Sequence, residues 1–171
     1  RILQEGRILA RLRHRNLTQV LDLFEVPETR AVVLVMELLQ GESLATHLKE
    51  NGPLTLAATL EILGAVSAGL KAAHRANVVH RDLKPENIFL SRDDDGTVVV
   101  KLLDFGLARS VLDTDGVRIT STGAVLGTPT YMAPEQVYGE KEISFAVDVW
   151  ALGAIFFECV TGRVLFAAQN A

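Results

Sequence analysis

Two short segments of the sequence contain side chains that could together transfer a phosphoryl group. Residues 80–87 contain Asp82, Lys84 and Asn87, and Asp104 follows at the end of an apolar run. A carboxylate such as Asp82 can accept a proton from a hydroxyl group. A lysine such as Lys84 can offset the negative charge of a transferring phosphoryl group. The amide oxygen of Asn87 and the carboxylate of Asp104 are ligands that suit Mg²⁺.

A β-hairpin is the element that would bring Asn87 and Asp104 together. The apolar residues 88–90 and 98–103 flank the turn-forming residues 93–96, which read Asp-Asp-Asp-Gly. If these two runs pair, Asn87 and Asp104 emerge at the same end of the hairpin. The sequence therefore predicts that both oxygen ligands lie beside the loop that carries the potential base.

The rest of the chain predicts helices and strands around this hairpin. Thr55 is the expected N-cap of a long helix with apolar residues at helical spacing, and Asn77 is its expected left-handed stop. The second early strand is a continuous β-branched run, as expected for a strand buried on both faces. The other predicted elements are an opening helix closed by Asn16, strands at 17–26 and 31–38, a short helix at 43–50 after a break at Gly41, a long loop at 107–130 and a final helix at 144–161 that ends at Gly162. This order indicates an α+β fold, with strands early and helices late.

Composition excludes several classes of protein. The chain has 171 residues, of which 49% are apolar, and a net charge of −4, so a disordered chain and a basic nucleic-acid-binding surface are both excluded. A single cysteine, Cys159, rules out an internal disulfide. Two apolar stretches, 54–70 and 145–160, contain acidic residues, and neither is a clean run of the ~20 apolar residues that a bilayer span needs. We expect both to be core helices and no membrane segment in this span.

The motifs resemble those of the eukaryotic-type (Hanks-type) serine/threonine protein kinases. His-Arg-Asp-Leu-Lys-Pro-Glu-Asn at 80–87 is followed by Asp-Phe-Gly at 104–106 and Ala-Pro-Glu at 133–135, in the order of that family. The residues around the first and third motifs are most similar to those of bacterial members. The resemblance implies a truncated two-lobe kinase fold: residues 1–36 would be the remainder of the small lobe from the αC helix onward, 37–42 the hinge and 43–171 a partial large lobe.

The resemblance assigns roles to the chemical residues. Asp82 would act as the base toward the substrate hydroxyl, Lys84 would contact the γ-phosphate of ATP, and Asn87 and Asp104 would hold Mg²⁺. Lys84 and Thr128 imply serine or threonine, rather than tyrosine, in a protein substrate.

Further positions follow from the same resemblance. Glu5 stands where the family has the glutamate of αC that pairs with the ATP-binding lysine. Met36 would guard the back of the adenine pocket, Glu37 and Leu39 would present backbone groups to adenine, and Phe89 would lie beneath the ring.

The long loop resembles an activation segment. Arg81 would receive a phosphate carried by this loop, and Arg109 is a plausible second donor. Thr120 and Thr122 are the candidate phosphorylation sites, since a phosphate can order a loop through arginine. This implies a kinase–kinase contact for phosphorylation of the loop.

Two parts of the family pattern are missing from the sequence. It contains no Gly-x-Gly-x-x-Gly loop and no lysine-bearing strand before Glu5, and both parts handle ATP. We therefore expect this span to be inactive by itself. A non-catalytic pseudokinase or scaffold is the alternative, and a small-molecule phosphotransferase is disfavoured by the Ala-Pro-Glu motif. The nucleotide supply and the lone thiol predict a cytoplasmic kinase, with any membrane anchor outside these residues.

Overall fold

Two antiparallel sheets and two long helices form the described part of the chain. The structure is a computed structural model that describes residues 10–29, 31–93, 95–105, 129–140 and 142–166. Its strands are β1 (Val20–Glu25), β2 (Val32–Met36), β3 (Gly41–Ser43), β4 (Ile88–Arg92) and β5 (Val98–Leu102), and its helices are α1 (Leu44–Asn51), α2 (Leu56–Arg75), α3 (Pro134–Val137) and α4 (Ala146–Thr161). Short 3₁₀ turns cover Pro85–Asn87 and Pro129–Tyr131. The predicted α+β order is confirmed.

The predicted hairpin is confirmed as the β4–β5 pair. The strands are antiparallel, and Ile88 pairs with Leu102. At the turn, the backbone N–H of Gly96 donates to the carbonyl oxygen of Asp93 at 2.8 Å, and Gly96 has a φ of 81°. A positive φ is accessible to glycine at little cost, which is why the turn lies here.

A third strand joins this hairpin, and the sequence did not predict it. Gly41 was expected to end regular structure, but Gly41–Ser43 instead pairs antiparallel with β4. A Cβ atom on Gly41 would lie 2.1 Å from the carbonyl oxygen of Leu90, and its φ is 142°. Glycine is therefore required by close approach to β4, and the sheet has the order β3-β4-β5.

The expectation that β2 is buried on both faces is wrong. Val32 is 37% exposed and Val35 is 38% exposed. The reason is that β2 pairs with β1 in a two-stranded sheet, so neither face is fully covered within the described residues. A run of β-branched residues signals a strand, but coverage of its faces depends on neighbours that the run does not specify.

Helix α2 agrees with its predicted ends. The hydroxyl of Thr55 accepts the N–H of Ala58 at 3.2 Å, and Asn77 adopts a φ of 58°. This helix is also long and apolar enough to cross a membrane by length and composition. Its inner face packs in the core, where Val66 and Ala73 are fully buried. That packing favours the expected core helix.

Helix α4 ends at Gly162 as predicted, with a left-handed φ of 69°. Apolar side chains line a groove of about 570 Å³ beside it, and the rings of Trp150 and Phe166 stack there at 5.6 Å. Val149, in the same groove, is 64% exposed. Part of the apolar surface of α4 is therefore uncovered within the described residues.

A short segment before β1 connects the two sheets. Leu17 forms a parallel bridge with Leu102, and the carbonyl oxygen of Asn16 accepts the N–H of Leu102 at 2.9 Å. The side chain of Asn16 donates to the carbonyl oxygen of Val100 at 2.8 Å. A Cβ on Gly69 of α2 would lie 2.9 Å from the carbonyl oxygen of Asn16, so glycine permits this close packing. The core that surrounds the segment includes Leu17, Leu44, Val66, Leu70, Leu83, Ile88, Leu102 and Ile155.

Candidate active site

The loop between α2 and β4 brings three of the predicted residues into direct contact. The amine of Lys84 donates to Oδ2 of Asp82 at 2.9 Å. The amide nitrogen of Asn87 donates to the backbone oxygen of Asp82 at 2.8 Å and lies 3.3 Å from its Oδ2. Asp82 and Lys84 are each about one-third exposed, so they are accessible to a substrate.

Asn87 and Asp104 lie at the same end of the hairpin, as predicted. The carbonyl oxygen of Asn87 accepts the N–H of Leu103 at 2.9 Å, and Asp104 is the next residue. Asp104 is exposed and has a φ of 42°, a conformation that costs a non-glycine residue energy and is common at functional sites.

The donor chemistry of this pair fits a magnesium ion. The side-chain nitrogen of Asn87 donates to the backbone oxygen of Asp82. The side-chain oxygen of Asn87 is therefore the atom able to bind a cation. With the carboxylate of Asp104, this provides two hard oxygen ligands, and Mg²⁺ commonly takes its remaining ligands from phosphates and water. No cluster of three or more His, Cys, Asp or Glu side chains suited to a metal occurs in the described ranges. The set therefore suits Mg²⁺ accompanied by phosphate better than a closed protein cage.

A buried carboxylate on α4 supports the loop that carries Asp82. Asp148 is 1% exposed, and its Oδ1 accepts the N–H of Arg81 at 2.9 Å. Its Oδ2 accepts the N–H of His80 at 2.9 Å and Nε2 of His74 at 2.7 Å. Arg81 has a left-handed φ of 64°, so the loop is held in a conformation that it would not readily adopt alone.

His80 connects the loop that carries Asp82 with the segment that carries Asp104 from inside the core. It is fully buried, and its Nε2 donates to the carbonyl oxygen of Leu103 at 2.9 Å. Its ring contacts Phe105 with centroids 4.8 Å apart. Burial lowers the pKa of His80, although the nearby carboxylates of Asp148, Asp82 and Asp104 act in the opposite direction. The neutral imidazole is thus a structural link between Asp82 and Asp104.

The residues assigned to the adenine pocket lie at the end of β2, in the segment that follows it and on β4. Met36 pairs with Val20 at the end of β2 and is 37% exposed. The N–H of Glu37 donates to the carbonyl oxygen of Gln19 at 3.0 Å, and the backbone of Leu39 makes no hydrogen bond within the described residues. On β4, the half-buried ring of Phe89 lies against Gly41.

Sequence reasoning missed an ion pair between β5 and the segment that follows β2. The amine of Lys101 on β5 donates to Oε1 of Glu37 at 2.8 Å, and the same oxygen accepts the N–H of Gln19 at 2.7 Å. The available signal was the charged Lys101 within the otherwise apolar run 98–103.

A second missed residue lies just after the Ala-Pro-Glu motif. The amide nitrogen of Gln136 donates to the carbonyl oxygen of Arg81 at 2.8 Å, so α3 contacts the loop that carries Asp82 directly. Nothing in the spacing of residues 133–136 indicated this partner.

Five of the predicted residues lie outside the described part of the chain. These are Glu5, Arg109, Thr120, Thr122 and Thr128. Their assigned roles stay predictions.

Comparison with known proteins identifies the family. The model of the protein kinase domain matches residues 1–171. The chain belongs to the protein kinase family.

Its relatives include bacterial serine/threonine kinases. Serine/threonine-protein kinase PknL of Mycobacterium tuberculosis is 44% identical over 167 residues, which cover 98% of this chain and 39% of the relative. Serine/threonine-protein kinase PkaA of Streptomyces coelicolor is 42% identical over 171 residues, which cover the whole chain and 30% of the relative. The kinase segment thus spans about two-fifths or less of these curated relatives.

A solved structure shares the fold. The crystal structure of Rad53 1–466 in complex with AMP-PNP superposes with a TM-score of 0.78 at 28% sequence identity, covering 99% of this chain and 40% of that one. This likeness and the family match together establish a partial kinase fold, and the relatives are bacterial kinases of the Hanks type.

Proposed function

We propose that the protein containing this kinase segment transfers the γ-phosphoryl group of ATP to serine or threonine hydroxyls of protein substrates. The observation that carries the proposal is the contact of Asp82 with both Lys84 and Asn87, next to the strand end at Asp104. The names of the relatives and the AMP-PNP bound to the solved neighbour support the choice of reaction and nucleotide.

The chemistry assigns one step to each residue. The substrate hydroxyl oxygen forms a bond to the γ-phosphorus, the bond to the β–γ bridging oxygen breaks, and ADP leaves. Asp82 accepts the hydroxyl proton, and Lys84 offsets the charge on the transferred group. Asn87 and Asp104 would hold Mg²⁺, which when bound neutralises charge on the phosphates.

The same proposal divides the chain at residues 37–42. We assign residues 1–36 to the small lobe, 37–42 to the hinge and 43–171 to the large lobe. In support, β1–β2 and β3-β4-β5 share no ladder, and residues 37–40 carry the chain from β2 to β3. Met36, Glu37, Leu39 and Phe89 would then surround adenine.

Regulation would act through the long loop and Arg81. We propose that Thr120 or Thr122 is phosphorylated by a second kinase molecule and that the phosphate binds Arg81 and Arg109. Thr128 would help to select serine or threonine. Glu5 would pair with a lysine that this segment does not contain, so the segment alone would be inactive.

The proposed location is the cytoplasm. ATP is available there, and the single cysteine, Cys159, is free, so no disulfide within these residues requires an oxidising compartment.

The test is phosphate transfer by the full-length protein that contains this segment. The purified wild type should transfer radiolabelled phosphate from ATP to a serine/threonine protein substrate in the presence of Mg²⁺. Asp82→Asn should reduce turnover by about 10²–10⁴-fold, because the base is removed. The matched control, Asp93→Asn, changes an exposed aspartate at the hairpin turn and should keep wild-type turnover. Absence of transfer by the wild type would instead favour the pseudokinase or scaffold.

A further inference from the structure

The backbone of Arg81 is held from two sides by two different helices. Its φ of 64° lies in the left-handed region, which non-glycine residues seldom occupy. Its N–H donates to Oδ1 of Asp148 on α4 at 2.9 Å. Its carbonyl oxygen accepts from the amide nitrogen of Gln136 on α3 at 2.8 Å. Both backbone groups of this unfavourable residue are thus satisfied by side chains distant in sequence.

Gln136 uses both ends of its amide. While Nε2 donates to Arg81, Oε1 accepts the N–H of Ala133 at 3.2 Å, at the start of α3. The backbone N–H can only donate and the carbonyl oxygen can only accept, so this pair of partners fixes the orientation of the amide. A side chain with one donor and one acceptor is required, which glutamate and methionine at this position would not provide.

The carbonyl of Arg81 belongs to the peptide unit that continues into Asp82. That unit is planar and rigid, so a bond to its oxygen also restrains the nitrogen and Cα of Asp82. We propose that Gln136 is a positioning residue that aligns Asp82 and couples the Ala-Pro-Glu segment to the catalytic loop. This inference rests on the proposed function, because its target is the same Asp82.

Two substitutions separate the loop contact from the helix cap. Gln136→Glu retains an acceptor for Ala133 but loses the donor for Arg81, whereas Gln136→Met is neutral and loses both. If the loop contact matters, both variants of the full-length protein should lower kcat roughly tenfold, because a misaligned catalytic group slows the chemical step, with little change in KM for ATP. The control Val137→Ala, on the exposed side of the same helix, should leave kcat unchanged.

Two kinetic outcomes would show that Gln136 does not position Asp82. Normal kcat in Gln136→Glu with a loss only in Gln136→Met would show that Gln136 acts as a cap and would overturn the inference. A rise in KM with unchanged kcat would also overturn it.

Hydrogen exchange of the peptide covering residues 78–84 provides a readout that does not need catalysis. Faster exchange in both variants, with thermal unfolding temperatures close to that of Val137→Ala, supports the positioning role. Unchanged exchange overturns it even if the wild type transfers no phosphate, an outcome that would separately refute the proposed function.

Discussion

Lys101 and Glu37 form an ion pair of 2.8 Å that joins the strand leading to Asp104 with the segment after β2. Lys101 is 15% exposed and Glu37 is 28% exposed, so solvent screens this pair less than a typical surface pair. The same carboxylate oxygen accepts the backbone N–H of Gln19. One side chain therefore connects β5, the start of β1 and the proposed hinge.

Loss of this ion pair should destabilise the contact between the two sheets. Lys101→Met should lower the free energy of unfolding by about 1 kcal/mol, because Glu37 loses a charged partner while keeping its bond to Gln19. Lys101→Arg keeps the charge, so its free energy of unfolding should remain close to that of the wild type. Denaturant unfolding of the full-length protein measures the difference, with Lys49→Met on the exposed end of α1 as a control. Equal stability of Lys101→Met and Lys49→Met would contradict the prediction.

Removal of the Asp148 carboxylate should damage the catalytic loop more than removal of a surface carboxylate. Asp148→Ala leaves the buried N–H groups of His80 and Arg81 without acceptors, which costs about 3 kcal/mol or more in total. Asp148→Asn keeps one acceptor oxygen, so its stability and activity should lie between those of the alanine variant and the wild type. Thermal unfolding and phosphate transfer should decline in the same order. If Asp148→Ala lost no more stability and activity than Asp93→Ala, Asp148 would not support the loop as predicted.

The stability of the fold should decrease in mild acid because of His80. Burial lowers its pKa below the usual value of 6.5, and its Nδ1 has no hydrogen-bond partner within the described residues, so the folded state resists protonation. As the pH falls below 6.5, the unfolded chain binds a proton that the folded chain does not. The free energy of unfolding therefore falls with decreasing pH until the folded-state pKa is reached, and the full contribution is present above pH 6.5.

His80→Gln is the variant that isolates this effect. It can still donate to Leu103 but does not titrate, so its unfolding free energy should depend less steeply on pH, by up to about 1.4 kcal/mol per pH unit. Denaturant titrations from pH 5 to 7 measure the slope. Lys49→Gln, at the exposed end of α1, serves as the control. Identical slopes for wild type and His80→Gln would refute the prediction.

Asp104 should control the requirement for magnesium. Asp104→Asn removes a charged oxygen ligand but keeps a similar shape, so the Mg²⁺ concentration for half-maximal phosphate transfer should rise about tenfold or more. Asp95→Asn, at the far end of the same hairpin, should have no such effect, since its side chain accepts the N–H of Thr97 away from the site. An unchanged Mg²⁺ requirement in Asp104→Asn would mean that the carboxylate does not hold the ion.

The sequence by itself determined the local elements and the motifs that they carry. Thr55 and Asn77 mark the ends of α2, and Gly96 marks the hairpin turn, because caps and turns depend on side-chain oxygens and backbone conformations of a few adjacent residues. Because two runs joined by a short turn pair as a hairpin, their outer ends meet, so the juxtaposition of Asn87 with Asp104 also followed from local pattern.

Only the tertiary structure decided how these elements support one another. The bond from Gln136 to Arg81 joins residues 55 positions apart, and the bond from Lys101 to Glu37 spans 64. Such partners are selected by the packing of helices and sheets. The spacing of apolar residues within one helix or strand does not specify this packing. The third strand at Gly41–Ser43 and the exposure of β2 have the same origin: pairing and burial depend on which neighbours the rest of the chain provides.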